Sequence, residues 1–297
     1  MRFRATLTKI WEFLIEKAVL LAGLASVVFV VLIFIFLLRE GLRTFATVSL
    51  SDFLFGRKWY PISTPPQFGI LPMICGSALV TLGAALLGVP LGLASAIYIA
   101  EVAPPRIKEV LKTGIELLAA IPSVVLGFVG LVVVVPFLRQ TFDLPTGQTA
   151  LAGAIMLSLM ALPTTVSITE DALTSVPKRY REAALALGAT HWEYIHRVAL
   201  RAAAPGIVAA VMLGIGRVIG ETMAVMMVTG NAGLIPHSFL QPVRTMTATI
   251  AAEMGETVKG STHYAALFAI GIVLFVITFL VNLIADSFLH RSKVTLR

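Results

Sequence analysis

The chain has little charge and almost no cysteine. Asp, Glu, Lys and Arg together make up 13% of its 297 residues, and Cys75 stands alone. One thiol excludes an internal disulfide, and no Cys/His spacing of the metal-binding kind occurs. In "HWEYIH" (191–196) the histidines are five apart and the glutamate is misplaced for a zinc-binding helix. No GxxxxGK[ST] stretch is present, so the chain lacks a loop of its own to cradle the phosphates of ATP. No nucleophile with a paired base stands out, which leaves catalysis without a candidate residue.

What is present is apolar. Hydrophobic residues fill 58% of the positions and the mean hydropathy is +0.92. A soluble domain of this length could not hide that much apolar surface, so a polytopic membrane protein is expected. The net charge of +7 then reports cytoplasmic loops rather than a nucleic-acid partner. The first apolar run is too long for a cleavable leader and lacks a small-residue cleavage site.

Crossing the hydrocarbon core takes about 20 apolar residues. Charge-free runs cover 18–38, 59–100, 117–138, 144–169 and 260–285, and 202–230 is a further run but for Arg217 and Glu221. The second run begins with the proline-rich "WYPISTPPQFG", which leaves one helix at about 70–99. The pattern predicts an all-α fold with six transmembrane helices. With the N-terminus placed inside, the inner segments hold 15 Lys and Arg and the outer ones 7, which favours both termini in the cytoplasm.

Glycine and proline recur inside the spans, in "LGVPLGLA" (87–94), "AAIPSVVLGFVG" (119–130) and "LMALPTTV" (159–166). They read as close packing with kinks, or as bendable helices around a pathway. The longest inner connection, 170–201, contains Pro177 to open a helix over 178–187 and Gly188 to end it. Thr190, with Glu193 three residues on, predicts a capping box and a second short helix. The segment forms either a compact knob or a solvated connection.

"EAALALG" at 182–188 resembles the EAA loop of ABC-importer permeases. Glu182, Ala183, Ala184, Gly188 and Leu200 match the family pattern, whereas Val198 replaces the usual Ile and Arg201 the usual Pro. Four further blocks, 56–77, 121–130, 216–225 and 242–256, are similar to the phosphate-importer permeases within that family, and the likeness spans about 55–290. The resemblance implies the type I ABC-importer permease fold and a multi-pass protein of a prokaryotic plasma (inner) membrane. It divides the chain into an N-terminal segment with first helix and outer loop (1–69), a permease domain (70–290) and a tail (291–297). Its implied partners are cytoplasmic ATPase subunits docking on Glu182, Ala183, Ala184 and Gly188, a paralogous second permease, and a periplasmic or extracellular phosphate-binding protein. ATP is then used by the partner, and no cofactor is expected on this chain. The alternatives are a permease for sulfate or molybdate, or an anion carrier working without ATP.

A charge at mid-membrane costs about 2.5–3.5 kcal/mol on insertion scales. Arg217 and Glu221 are four apart, so on a continuous helix they share a face and can neutralise each other. Either they form a self-satisfied packing pair, or they line a passage for an anion. Arginine offers a permanently charged planar fork that suits phosphate oxygens. Phosphate keeps one or two protons near neutral pH and can donate to the Glu221 carboxylate, which sulfate cannot. Gly216 and Gly220 would let another backbone come close. Arg244, with Thr245, Thr247 and Thr249, reads as an outer vestibule or a loop anchor, while Glu253 and Glu256 are expected to face solvent. The outer loop at 49–69 reads as an aromatic interfacial belt with a stiff turn, or by resemblance as a surface for the binding protein.

Overall fold

The computed structural model describes Arg2–Val294; the last residues of the expected tail, 295–297, lie outside the described residues. The first helix, α1 (Arg2–Gly41), is longer than the expected span and is apolar on every side over its middle. It meets the last helix, α14 (Thr262–Val294), toward its C-terminal end, where Phe34 packs on Phe275 and Phe36 on Phe268.

The loop after α1 is more structured than its proline content predicts. A 3₁₀ turn at Leu42–Ala46 and a short helix α2 (Leu50–Phe55) lead into an antiparallel hairpin, β1 (Trp59–Tyr60) with β2 (Gln67–Phe68). Gly56 and Gly69 let its two arms touch, since a Cβ on Gly69 would come within 2.3 Å of the Gly56 backbone. Phe53, Trp59, Phe68 and Ile70 anchor the hairpin on Ala266, Leu267 and Ile270 of α14.

The centre of the fold is three helices. These are α3 (Leu71–Ile97), α7 (Ala150–Thr174) and α11 (Ala204–Gly220). They approach through small residues: a Cβ at Gly88 would lie 3.4 Å from Ser158, and one at Gly92 would lie 2.9 Å from Thr165 Cγ2. A Cβ at Gly214 would lie 2.6 Å from Thr165 Oγ1, so Thr165 is wedged between α3 and α11. Glycine lets backbones close to contact distance in a membrane bundle, where tight packing drives association.

The expected third span, 117–138, is divided. Helix α4 (Pro105–Ala120) ends at Ile121–Pro122, because the residue before proline is pushed out of the helical region. The chain resumes as α5 (Ser123–Val129), passes a π turn at Gly130–Val134, and finishes as α6 (Val135–Thr141). After α7 come α8 (Lys178–Ala186) and α9 (His191–Glu193), then a π turn at Tyr194–Ala199 and α10 (Leu200–Ala202). The expected fifth span also breaks. The segment His191–Ala202 meets α11 at 71°, and beyond α11 lie α12 (Met223–Val228) and α13 (Met246–Glu253). Among the described residues, five helices are long and apolar enough to cross a membrane, or six if the bent pair counts as one.

Candidate functional site: a broken helix, a carboxylate hub and a knob

The two intramembrane charges do not share a helix face. Helix α11 stops at Gly220, and Glu221 is extended at φ −71° and ψ 134°, which turns its side chain off the spiral that carries Arg217. Among the described residues the two form no ion pair, so the expectation of a self-neutralised pair is corrected. Glu221 instead caps the next helix: its Oε1 accepts from the Ala224 amide at 3.3 Å. An anionic group at a helix start satisfies an otherwise orphaned N–H and sits at the positive end of the helix dipole. The Glu221 carbonyl accepts the Thr247 hydroxyl at 2.9 Å.

Arg217 points the other way. The buried residues of α11 are Ala210, Gly214 and Val218, packed towards α7 and α3. Arg217 lies on the opposite, exposed side with Leu213, and Cβ atoms placed on Gly216 and Gly220 would meet nothing within 4 Å. Arg217 makes no hydrogen bond or ion pair among the described residues. Its helix face is open.

Arg244 is not open. Its Nε donates to the Asn231 carbonyl at 3.0 Å and its Nη1 to Glu253 Oε1 at 2.9 Å. Glu253, expected in solvent, is half-buried and also accepts from Trp59 Nε1 at 2.9 Å and meets His263 Nε2 at 2.8 Å. One carboxylate thus ties β1, the α12–α13 loop, α13 and the start of α14. Glu256 is exposed as expected. The sequence carried no local sign of this hub, because its four members come from segments up to 204 positions apart (Trp59 to His263). These bonds make Arg244 a loop anchor, with part of its side chain still exposed.

At the opposite end of the bundle, the segment 175–199 folds into a knob. Pro177 starts α8, and Gly188 at φ +84° reverses the chain in a conformation that suits glycine. Thr190 and Glu193 form the expected capping box, with the Thr190 amide donating to Glu193 Oε2 at 2.9 Å. That backbone bond, then the Thr190 hydroxyl, holds the Glu193 carboxyl below its ordinary range. His191 Nε2 reaches the Glu101 carbonyl beyond α3 at 3.1 Å. Glu182, Ala183 and Gly188 are exposed. Ala184 is mostly covered, packed with Leu173, Tyr194 and Ile195, and its remaining surface borders the groove beside Gly188. Leu187 is 90% exposed beside an open groove of about 370 Å³ lined by Gly188, Glu193 and Arg197. Leu185 and Trp192 are exposed on the same knob, and apolar residues next to its Gly188 reversal are the signal in the sequence that could have pointed to this surface.

Close to the knob, Glu170 is only 3% exposed, yet each of its oxygens meets a cation. Lys108 Nζ lies 2.7 Å from Oε1 and Lys112 Nζ 2.9 Å from Oε2. The hydrogen bond to Glu170 raises the Lys112 ammonium above its ordinary range. Two lysines four apart on α4 meet one carboxylate because residues at that spacing share a helix face.

Comparison with known proteins gives this arrangement its relatives. Residues 88–294 match the family model of the binding-protein-dependent transport system inner membrane component. The chain is 46% identical to the probable ABC transporter permease protein YqgH of Bacillus subtilis, over 89% of this chain and 86% of that protein. It is 38% identical to the phosphate transport system permease protein PstC of Mesorhizobium japonicum, over 81% and 78%. Its fold is similar to that of a chain of the bacterial alginate ABC transporter in complex with alginate pentasaccharide-bound periplasmic protein. That match has a TM-score of 0.63 at 20% identity and covers 95% of this chain and 97% of that one. With a family match over most of its length and bundle, breaks and knob in place, the chain belongs to the inner-membrane permease components of binding-protein-dependent, ABC-type transport systems.

Proposed function

We propose that this chain is one half of the translocation pathway of an ATP-driven phosphate importer. The observation that carries the reading is Arg217 on the open face of α11, beside the break at Glu221, with no partner among the described residues. A bare guanidinium in hydrocarbon costs about 2.5–3.5 kcal/mol. That face therefore borders a watery passage, with a paralogous second permease completing the wall. Phosphate is favoured because Glu221, freed from Arg217, accepts a proton-bearing oxygen that sulfate and molybdate lack near neutral pH. The relatives named as phosphate permeases support the same substrate.

Both termini lie in the cytoplasm, as does the knob, whose Glu182, Ala183, Ala184 and Gly188, with the exposed Leu187, seat in cytoplasmic ATPase subunits. The energy comes from ATP used there, and this chain holds no cofactor. The hairpin and hub face a periplasmic or extracellular phosphate-binding protein. The permease domain occupies 70–290, preceded by a first helix and outer loop in 1–69.

Radiolabelled phosphate uptake into proteoliposomes, with and without the ATPase subunits, tests the reading. Uptake should require ATP and resist excess sulfate and molybdate. Arg217→Gln should abolish it while Arg217→Lys retains part. Uptake that survives Arg217→Gln, or that sulfate blocks as well as phosphate does, sinks the proposal.

A further inference from the structure

Helix α4 has no buried residue of its own. Ile115 leans on Ala96, Ile99 and Val166, and Leu118 on the central cluster, so its second half has apolar support. Its first half is held by the two lysines on Glu170, with Asp171 Oδ1 a further 4.0 Å from Lys112. Glu170 stands on the last turns of α7, a few residues before Pro177 and the knob. Beyond α4 the chain bends at Ile121–Pro122 and enters α5, which is docked on α12. A Cβ on Gly127 would lie 2.8 Å from Ala224 Cα, and one on Gly130 would lie 2.9 Å from Val228 Cγ1. Helix α12 starts two residues after Glu221, whose carboxylate accepts from the Ala224 amide in its first turn.

These contacts form one unbroken series from the knob to the pathway carboxylate. We infer that the Lys108–Glu170–Lys112 clamp is the joint that passes knob movement to Glu221, making Glu170 a positioning residue for transport. The inference rests on the proposed function above. With the clamp closed, α4 travels with α7 as a lever and swings α5 and α12 about Pro122. Arg217 is fixed on α11, within the glycine-packed triad, whereas Glu221 is held to α11 by its backbone and to α12 through its carboxylate. The stroke therefore draws the Glu221 carboxylate with the Ala224 amide and changes its aim relative to Arg217. A buried carboxylate makes a stiff joint, because its bonds to both lysines are short and solvent does not compete for the oxygen atoms. Coupling through packed and hydrogen-bonded elements requires an element with two arrangements, and the Pro122 bend supplies the place for it.

The test uses the complete complex in proteoliposomes, with uptake and ATP hydrolysis measured together. Glu170→Gln is expected to assemble and hydrolyse ATP while phosphate moved per ATP falls about fivefold or more, within the usual range of coupling between sites. The exchange Glu170→Lys with Lys108→Glu and Lys112→Glu should recover part of that ratio. Nitroxide labels at Glu116→Cys and Thr174→Cys, in a Cys75→Ser background, give a second readout. Their distance should stay single and constant through the nucleotide cycle, and should broaden and shift with nucleotide in Glu170→Gln. An unchanged uptake-to-hydrolysis ratio, a parallel fall of both activities, or identical distance distributions would each overturn the inference. If Glu170→Gln fails to assemble, Lys108→Gln with Lys112→Gln carries the same test with the same outcomes. A wild-type complex that moves no phosphate defeats the proposed substrate alone, since the distance measurement still judges the clamp.

Discussion

Thr247 donates its hydroxyl to the backbone carbonyl of Glu221 across 2.9 Å, supplying a donor that the break between α11 and α12 takes away. Helix α13 is in turn fixed at its start, where the Met246 amide donates to Ser77 Oγ on α3 at 3.0 Å, and at its end by Glu253. Glu221 therefore stands between two supports, Thr247 of α13 on its carbonyl and the Ala224 amide on its carboxylate.

Thr247→Val keeps the shape of the side chain and removes the donor. Leaving a half-buried carbonyl unpaired costs about 1–3 kcal/mol, too little to unfold the bundle but enough to loosen the break. Phosphate uptake should fall several-fold with normal assembly, and Thr247→Ser should restore it.

Glu253→Ala strands a guanidinium, an indole N–H and an imidazole at once. The carboxylate keeps some exposure, so the loss is put at about 1–3 kcal/mol rather than that of a fully buried pair. Thermal unfolding of the detergent-solubilised protein should drop, and Trp59 emission should change with it. Glu256→Ala, at an exposed position, should leave both unchanged.

Gly188→Ala forces an L side chain into a left-handed conformation at a cost of about 1–2 kcal/mol. Nothing stands within 4 Å of its added Cβ, so the effect is conformational and not steric. ATPase binding to the permease should weaken while the membrane bundle keeps its stability, as pull-down and melting curves would show.

Below its ordinary range, the Glu193 carboxyl contributes knob stability that is present above the unfolded value and lost as pH falls through the lowered folded one. Amide protection over 190–199, corrected for the intrinsic pH dependence of exchange, should therefore hold steady from neutral pH down to the range where free glutamate protonates, and fall from there on. Thr190→Ala should lower that protection at neutral pH by removing both bonds of the Thr190 hydroxyl and leaving only the backbone amide on Glu193.

Much of the bundle was legible because its signals are local. The run at 70–99, the Gly188 reversal and the Thr190–Glu193 box each lie within a few residues of one another, where periodicity and capping rules act. Arg217 was visible as a charge in an apolar run. Its relation to Glu221 was not, because spacing by four assumes an unbroken helix, and the break needs the carbonyl acceptor, Thr247 and the Ala224 cap to be seen together. Glu253 and Glu170 were out of reach for the same reason. Their partners stand on other helices, and nothing within reach along the chain distinguishes a buried carboxylate from a solvated one.

Gly127→Val would drive a branched side chain into the backbone of Ala224. Overpacking of this kind costs about 1–3 kcal/mol in a tight core, and here it would also part α5 from α12. Uptake should be lost in a complex that still assembles and still binds its ATPase.

Thr165, caught between Gly92 and Gly214, sets a limit on how the protein changes shape. Sliding α3 or α11 along α7 would press its methyl or hydroxyl against a neighbouring backbone, so this contact resists gliding and favours turning the three helices as one block. Shape change is left to the non-helical corners at Pro122, Ala203 and Thr222. The width of the channel mouth is then a matter of angles at three corners, and a residue far from any ion can alter throughput simply by stiffening one of them.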